Sequence, residues 1–571
     1  MFNMRKNKPF IYGFFVLLSF LPVSASISAL AAPIVPDAAD IPRPQPSMSP
    51  PVKPADINQR EKPAYQPAVS GKEIRILVNN FTFSGNRSYP SEQLNGLLQS
   101  YTGREIGFTE LNQATKTITD FYRQQGYFLA QAYLPTQNIE GDTIEISVLE
   151  GELGVLKLNN AENLDAGFLQ DLAAYRLQAG GILKEQNLVR NVTLMNALPA
   201  MRATAQLNPG EAIGSSDAEL ELQPLPKWQG QIALNTYGNR FTGREVVQAG
   251  ANVNNLAGRG DQLFFSLKNS RDDGQRGLNL GYLLPIHASG TLLSASYNFV
   301  DYKLGGPFKQ LDASGDSHYL NLGLDQPLYR DAQKGWSAHF GGTYKWVDDD
   351  VSAFALNNRR NVSNIDIGLL GDSFNQSGDT VYQAAVNLRS GHVDFKDQLA
   401  ESLDESGTKT KGHFVKFNLM FTRMQYFSNG LSLALRADYQ SASKNLDSVE
   451  KMGIGGINRW RAFAELPSLA DTGYMAGIEL RKNIVAGPKL ANILLDGISP
   501  YGFIDFGRGK INQKALSEDN HVRSTSYGFG IDMVFRKNWG LNFAASHQRR
   551  KFDGASEEHE TRAWGQLQMN F

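Results

Sequence analysis

The sequence predicts a mainly β fold: a 16-stranded antiparallel transmembrane β-barrel over residues 227–571, preceded by two small α+β domains. Two observations predict the barrel. Short alternating strands recur about every 20 residues, and a secretory signal precedes them. A third observation predicts the two domains, because residues 73–226 carry the element order β-α-α-β-β twice in succession.

The composition fits a β protein and excludes several functional classes. Of 571 residues, 41% are apolar and 20% are charged, which is ordinary for a folded chain. The formal net charge is -1, so nothing predicts a nucleic-acid partner, which would favour a basic patch. The chain has no cysteine, which excludes disulfides, thiolate metal sites and a cysteine nucleophile. We expect no metal and no cofactor.

Residues 1–31 predict a secretory signal. Three basic residues precede an apolar run over residues 10–21, and Ala29-Leu30-Ala31 has the small side chains of a cleavage site. The alternative is a membrane-anchoring helix. It is disfavoured because Gly13 and Pro22 interrupt a run that is already short for a bilayer span. Any later membrane crossing then needs a closed barrel, because no other long apolar run follows.

Residues 32–72 predict an extended linker, because prolines crowd into it and prevent a packed core. The window 55–62 lacks proline and is compatible with a short helix, which could plug a pore.

The two predicted domains, residues 73–151 and 152–226, share one element order. In the first domain Leu111, Ile118 and Tyr122 recur at helical spacing, which predicts a helix that Gly126 ends. The predicted strands are 74–83, 129–134, 144–149, 155–158, 202–207 and 219–223, and the predicted helices begin near residues 91, 111, 168 and 188.

From residue 227 onward, strands with one apolar and one polar or small face recur, as a barrel wall requires. A soluble β-sandwich or propeller also alternates. The secretory signal favours the barrel, and so does a final strand that ends on an aromatic residue, Phe571. Sixteen strands are predicted to start near residues 228, 245, 261, 275, 290, 318, 336, 363, 380, 412, 431, 473, 499, 523, 540 and 561.

Several motifs resemble one known family. Residues 122–127 (YRQQGY), 132–135 (AYLP), 137–139 (QNI) and 148–151 (VLEG) resemble its first polypeptide-transport-associated (POTRA) domain. Gly258-Arg259-Gly260-Asp261 resembles its turn between the second and third barrel strands. Arg259-Gly260-Asp261 alone could suggest an integrin ligand, but a tight glycine turn between strands is the better interpretation. The family is that of the haemolysin and filamentous-haemagglutinin secretion/activation proteins, the outer-membrane transporters of two-partner secretion within the Omp85 superfamily.

Two further motifs concern the barrel interior. Phe503-Ile504-Asp505-Phe506-Gly507 matches the family's F-x-D-x-G wall strand. Trp460-Arg461-Ala462-Phe463 resembles its V-R-G-Y/F loop motif, with Trp in place of Val and Ala in place of Gly. The resemblance implies that Arg461 and Phe463 lie at the tip of a long loop folded back into the barrel, and that Phe571 is the C-terminal signal read by the barrel assembly machinery.

Physical arguments support the wall motif. Asp505 must face the lumen, because a carboxylate facing hydrocarbon is costly, which leaves Ile504 and Phe506 for lipid. Gly507 is expected to leave space for a loop backbone. We hypothesise that Arg461 reaches Asp505 and pins the loop. The alternatives are that Asp505 faces water, or that the pair is purely structural and does not gate.

The resemblance implies export of one large secreted exoprotein, an adhesin, haemolysin or toxin, through an outer-membrane barrel that contacts lipid. The POTRA domains would capture the unfolded partner by strand addition in the periplasm. The nearest alternative is an Omp85-type insertase that assembles outer-membrane proteins, and a passive porin would not need the two N-terminal domains. An enzyme is disfavoured, because the eight histidines are scattered and no G-x-S-x-G motif occurs, so no catalytic residue is assigned.

Overall fold

The computed structural model describes residues 57–59, 75–139, 141–159, 164–456, 460–461, 468–485, 495–516, 520–536 and 538–571. The predicted secretory signal lies outside the described residues, and so does the linker apart from strand β1 (Ile57–Gln59).

The first small domain packs two helices on short strands around one apolar core. Its core includes Phe81, Ile118 and Ile146, all at most 1% exposed. The elements are β2 (Arg75–Val78), β3 (Asn80–Ser84), α1 (Ser91–Leu97), β4 (Arg104–Gly107), α2 (Phe108–Gln124), β5 (Gln131–Tyr133) and β6 (Thr143–Leu149). The strands pair in the orders β3-β6-β5 and β2-β4.

The first domain differs from the prediction at its start. The predicted single strand over residues 74–83 is two strands, because the backbone N–H of Asn79 donates to the Asp142 carbonyl at 2.8 Å. β2 then pairs with β4, a strand that the sequence does not predict, whereas β3 runs parallel to β6. Ser91 is the first helical residue of α1, and Pro90 takes the N-cap position expected for Ser91.

The second small domain has the predicted element order. Its elements are β7 (Glu152–Asn159), α3 (Ala166–Ala174), α4 (Glu185–Asn196), β8 (Met201–Pro209) and β9 (Ser215–Pro224). The sheet order is β1-β8-β9-β7, so the linker adds a fourth strand, with Ile57 opposite Ala205 in a parallel pairing. The short helix compatible with window 55–62 is therefore wrong for residues 57–59. An isolated helix of that length is marginal in water, whereas the edge of β8 supplies backbone partners.

The remaining chain forms a closed antiparallel barrel of sixteen wall strands. One wall strand is interrupted at Asn483, and both of its pieces, Thr472–Lys482 and Ile484–Val485, pair with the strand Leu495–Lys510. The first eleven strands are β10 (Trp228–Asn235), β11 (Val246–Asn254), β12 (Gln262–Ser270), β13 (Gln275–His287), β14 (Thr291–Lys303), β15 (Ala313–Arg330), β16 (Lys334–Val351), β17 (Leu356–Phe374), β18 (Thr380–Phe395), β19 (Gly412–Tyr426) and β20 (Leu431–Ala442). The others are β23 (Thr472–Lys482) with β24 (Ile484–Val485), β25 (Leu495–Lys510), β26 (His521–Phe535), β27 (Trp539–Phe552) and β28 (Glu558–Asn570).

Among the described residues, several shorter elements lie between wall strands, including four 3-10 helices. Helix α5 (Gln398–Ser406) follows β18, and the small strands β21 (Met452–Ile454) and β22 (Ser468–Ala470) pair with each other between β20 and β23. No helix among the described residues is long and apolar enough to cross a membrane.

The barrel closes where its first and last strands meet. β10 pairs with β28, and Phe571 and Gly230 exchange backbone hydrogen bonds of 2.9 and 2.7 Å. The ring of Phe571 lies over Gly230, where a Cβ would come within 2.3 Å of it. Phe571 thus lies at the seam on the outer face, 67% exposed. Its role as an assembly signal stays a prediction.

The turn that resembles the family motif, residues 258–261, joins β11 to β12 as predicted. Asp261 is fully buried and accepts hydrogen bonds from the backbone N–H of Leu256 and from the Tyr282 hydroxyl. Gly258 and Gly260 both have φ of +80°, which favours glycine. Because Asp261 is buried inside its own turn, the turn does not display an Arg-Gly-Asp ligand.

The same turn docks the second small domain onto the barrel. Arg259 forms an ion pair of 3.2 Å with Asp165, which caps α3. The Phe168 N–H first, and then the Arg259 guanidinium, hold the pKa of Asp165 below its usual range. A second contact joins buried Arg190 of α4 to the Ser289 carbonyl of the next turn, at 2.6 Å. The domain is therefore fixed at the end of the barrel by two arginines.

Candidate functional site: a loop arginine on the barrel wall

The predicted wall motif lies on β25 with the expected alternation. Phe503 is 4% exposed and Asp505 0%, so both face the lumen, whereas Ile504 and Phe506 are 55% and 43% exposed on the outer face. A strand places successive side chains on opposite faces, so a single inward carboxylate fixes the orientation of all its neighbours. The prediction that Asp505 faces the lumen is confirmed.

Arg461 comes from the long connection between β20 and β23 and meets Asp505 inside the barrel. Its Nε lies 3.2 Å from Asp505 Oδ2, and its backbone N–H donates to the same oxygen at 3.0 Å. Its guanidinium also stacks on Phe503, with Cζ 3.7 Å from the ring centroid. The structure brings Arg461 to Asp505 as predicted, adds the contact with Phe503, and buries the arginine to 9% exposure. Phe463 lies outside the described residues.

A second carboxylate, Glu479, completes this contact, and the sequence analysis misses it. Glu479 Oε2 lies 2.5 Å from Arg461 Nη1, and Arg436 and Arg481 also pair with this carboxylate. Glu479 faces inward on β23, between the outward Ile478 and Leu480. That alternation is the signal that could have found it, since a charge at an inward position needs a lumenal partner. We name Arg461, Phe503, Asp505 and Glu479 the lid contact.

The predicted role of Gly507 needs correction. A Cβ on Gly507 would lie 2.0 Å from the sulfur of Met475 on the neighbouring wall strand, so the space is filled by that side chain and not by a loop backbone. The glycine that makes room at the lid contact is Gly477. A Cβ there would lie 2.3 Å from Asp505 Oδ1 and 2.9 Å from the Trp460 ring. Trp460, in turn, donates to Asp438 at 3.0 Å.

The loop is held at a second place that the sequence analysis also misses. Glu450, fully buried near the start of the loop, forms ion pairs with Lys345 at 2.8 Å, Lys416 at 2.7 Å and Arg389 at 3.5 Å. These cations come from β16, β18 and β19, so one loop carboxylate ties together three wall strands. We name this cluster the base contact. Beside it, Asp447 pairs with Arg360 at 2.5 Å.

The motif residues of the first domain have a structural role. Tyr122 is fully buried, and its hydroxyl donates to Glu150 Oε1 at 3.0 Å. The backbone N–H and hydroxyl of Ser88 donate to the same carboxylate at 2.7 and 2.8 Å. Burial, and then the Glu150 carboxylate, raise the pKa of Tyr122 well above its usual value. Tyr122 and Glu150 therefore hold the domain together from inside, whereas Tyr133, another motif residue, is 40% exposed on β5.

Comparison with known proteins identifies the architecture. A model of the family described as haemolysin secretion/activation protein ShlB/FhaC/HecB matches residues 214–533, and a model of the ShlB-type POTRA domain matches residues 76–151. The chain belongs to the ShlB/FhaC/HecB family. It is therefore an outer-membrane transporter of a secreted exoprotein in a Gram-negative cell, with its POTRA domains in the periplasm.

Individual relatives of this ShlB/FhaC/HecB member cover most of its length. The heme/hemopexin transporter protein HuxB of Haemophilus influenzae is 25% identical over 479 residues, 83% of this chain and 83% of the relative. The outer membrane transporter CdiB of Dickeya dadantii is 21% identical over 482 residues, 83% and 81% of the two chains. The structure of CdiB from Escherichia coli covers 89% of this chain and 92% of its own, with a TM-score of 0.73 at 18% identity, which shows a common fold.

Proposed function

We propose that this transporter captures one large unfolded exoprotein by strand addition to its first POTRA domain and passes it through the barrel lumen. The partner is an adhesin, haemolysin or toxin by class. The step needs no bond chemistry, so the protein acts without a catalytic residue, metal or cofactor. The observation that carries this proposal is the lid contact, which holds a long loop inside the polar lumen at Asp505 and Glu479.

The two POTRA domains differ in the sheet edge they offer. In the first domain, β5 has a strand partner, β6, on one side only among the described residues, and Tyr133 on it is 40% exposed. On its other side the Ala132 N–H donates to the Thr119 hydroxyl of α2 at 2.9 Å, a side-chain bond that an added strand would replace. In the second domain, the corresponding edge of β8 is already paired with the transporter's own residues 57–59. An extended polypeptide binds an open edge through backbone hydrogen bonds and tolerates varied side chains. The first domain is therefore the proposed capture site.

The loop between β20 and β23 is the proposed lid of the lumen. The loop is attached by ion pairs at both places, and its residues Ile454, Trp460 and Ala470 also pack on Met475 and Val522 of the wall in a small apolar cluster. Buried ion pairs fix geometry, yet they add little net stability, since desolvation of the charges offsets their attraction. The proposal is that a polypeptide in the lumen displaces the loop from the wall by breaking these ion pairs and the small apolar cluster beside them.

Assembly of the transporter is the remaining proposed partnership. Phe571 ends the strand that closes the barrel and points outward at the seam, where the barrel assembly machinery could read it before closure. Lipid then surrounds the wall through its outward apolar residues, for example Ile365 and Ile367, which are 59% and 61% exposed.

Deletion of the gene tests the function. One large protein should disappear from the cell surface and the medium, and the native gene should restore it, while the amounts of other outer-membrane proteins stay constant. Loss of many outer-membrane proteins together would instead indicate an insertase. An unchanged set of secreted and surface proteins would contradict export altogether.

A further inference from the structure

A row of cations lies on the outer face of the barrel, at the extracellular ends of three neighbouring strands. Arg508 of β25 lies opposite Arg523 of β26, which lies opposite Lys551 of β27. Arg549 lies two residues before Lys551 on the same outward face. All four side chains are exposed. Directly opposed residues of an antiparallel sheet have Cβ atoms about 5 Å apart, so these charges form one compact patch, which we name the basic row.

The basic row begins where the apolar wall ends. Below it on the same outer face lie the aromatic rings of Phe506 and Tyr527, which are 43% and 47% exposed. Tyr474, 44% exposed, lies directly opposite Arg508 on the neighbouring strand. Aromatic girdles of this kind mark the boundary between hydrocarbon and headgroups in barrels. Residues two positions apart on a strand are about 7 Å apart, so Arg508 lies about 7 Å beyond Phe506. The basic row therefore lies at the level of the lipid headgroups.

The length of β27 gives the same height. Trp539, 37% exposed, begins this strand at the periplasmic end, and Lys551 comes near its other end. Twelve residues at about 3.3 Å each, tilted by about 40°, raise Lys551 roughly 30 Å above Trp539. The apolar band of such barrels is about 25 Å tall, so Lys551 lies just outside the outer boundary of the hydrocarbon.

Among the described residues, the basic row has no acidic partner. Two exposed acids that follow β27 in the chain have other contacts, since Asp553 contacts His521 at 2.7 Å and Glu557 contacts His559 at 3.6 Å. Like charges directly opposite each other destabilise a sheet, so three aligned cations need an external anion to offset their repulsion.

The opposite side of the barrel shows that the basic row is local. At the same ends of β14, β15 and β16, the aligned outward residues are Asp301, Asp316 and Asp348. Asp348 there pairs with Arg359 at 3.2 Å. The outer rim thus carries aligned acids on one side and aligned cations halfway round the ring, which a general excess of charge would not produce.

We propose that the basic row binds the phosphate groups of phosphorylated glycolipid in the outer leaflet. Phosphate oxygens accept several N–H donors at once, and arginine suits them in particular through its planar fork of donors. The acyl chains of the same lipid lie against the aromatic and apolar residues below the row. The site orients the barrel side formed by β25, β26 and β27, the side that carries Asp505, against one class of lipid.

The test uses the purified full-length transporter in detergent micelles that contain bis-phosphorylated lipid A, with bound lipid counted by native mass spectrometry. The variant Arg508→Gln/Arg523→Gln/Lys551→Gln should bind the lipid at least tenfold more weakly, since each basic residue near an anionic surface contributes several-fold in affinity. The matched control, Arg276→Gln/Arg359→Gln/Lys396→Gln, removes three exposed cations that have acidic partners at the same end of the barrel, and it should bind as the native chain does.

Several outcomes decide the proposal. Lipid A without its phosphates should bind native and variant chains equally weakly. Retained binding by the triple variant, or an equal loss in the control, overturns the proposal. Full displacement by inorganic phosphate would show a free-anion site instead. Lost export with unchanged lipid binding would show a protein partner instead. Heat-modifiable migration on gels checks that each barrel is folded, and the single variants Arg508→Gln and Lys551→Gln, each expected to weaken binding several-fold, replace the triple variant if it does not fold.

Discussion

At the scale of single residues, Arg461 determines where the loop lies. Its guanidinium reaches two carboxylates, and its backbone N–H reaches one of them, so side chain and main chain both hold the tip. A charge swap between Arg461 and Asp505 is therefore a poor test. A glutamate at position 461 would face Glu479, and the backbone N–H would lose its acceptor. A neutral, isosteric change isolates the charge instead.

Asp505→Asn should release the loop tip from the wall. The amide keeps the size of the carboxylate but leaves the buried Arg461 with only Glu479 as a counter-charge, and loss of one partner of a buried pair typically costs about 3–5 kcal/mol. The mean single-channel conductance in planar bilayers should rise, and its fluctuations should be several-fold larger than those of the native chain. Export of the exoprotein should fall. The control is Asp372→Asn, which breaks a bidentate wall pair with Arg330, at 2.7 and 2.8 Å, that does not involve the loop. Identical conductance in both variants would argue against the lid.

Tyr122→Phe should destabilise the first POTRA domain by about 1–3 kcal/mol, because it removes one hydroxyl donor from the buried Glu150 carboxylate. Hydrogen exchange of the full-length chain measures this as faster exchange within β3 and β6. The matched control is Tyr133→Phe, an exposed tyrosine on β5, which should leave exchange unchanged. Equal protection from hydrogen exchange in the two variants would mean that the Tyr122 hydroxyl does not stabilise the domain.

At the scale of elements, the loop between β20 and β23 is attached at its base and its tip by different wall strands. The base contact joins β16, β18 and β19, whereas the lid contact joins β23 and β25. The loop is therefore attached to two neighbouring groups of wall strands, one at its base and one at its tip. Release of either end alone should leave the other in place.

Glu450→Gln should free the base of the loop. It leaves Lys345 and Lys416, which are 3% and 2% exposed, buried without their carboxylate, again a cost of about 3–5 kcal/mol. Protease added to the purified transporter should cut the loop several-fold faster. Glu401→Gln, which removes the carboxylate that pairs with Lys411 beside α5, is the control and should not change the rate. Unchanged cleavage of the Glu450 variant would show that the base contact does not restrain the loop.

Period-two alternation explains why the barrel strands were predictable. A lipid-facing row such as Ile365, Ile367 and Leu369 is exposed in the structure because the wall is one layer thick, so each strand shows its own pattern. Local pattern does not reveal pairing between distant segments. The short β4 and the parallel pairing of residues 57–59 with β8 depend on edges supplied by other parts of the chain, and propensity alone cannot find them.

The motifs predict Arg461 and Asp505, and the alternation of β23 could have placed Glu479 in the lumen. The ion-pair partners of Glu479 and Glu450 come from distant strands, so the sequence alone does not identify them. Position 450 lies in an irregular stretch without period-two alternation, so no face could be assigned to its carboxylate. The sequence predicts a loop backbone against Gly507 because a glycine in a strand indicates a close neighbour without identifying it. In the structure that neighbour is the Met475 side chain.

At the scale of the whole molecule, the proposed path leads from the β5 edge of the first POTRA domain to the barrel lumen. Arg190 and Arg259 fix the second POTRA domain against the periplasmic turns, so a polypeptide captured by the first domain is presented near the barrel mouth. The remaining claim is that the polypeptide passes through the lumen and not along the outer wall.

Photo-crosslinking from two adjacent residues of β10 tests this claim most directly. Gln231 faces the lumen and is exposed there, whereas Ile232, 47% exposed, faces lipid. With a photoreactive amino acid at each position in turn and the exoprotein stalled during export by a folded C-terminal fusion, position 231 should crosslink to the exoprotein and position 232 should not. Crosslinks from position 232, or equal crosslinks from both, would contradict transport through the barrel.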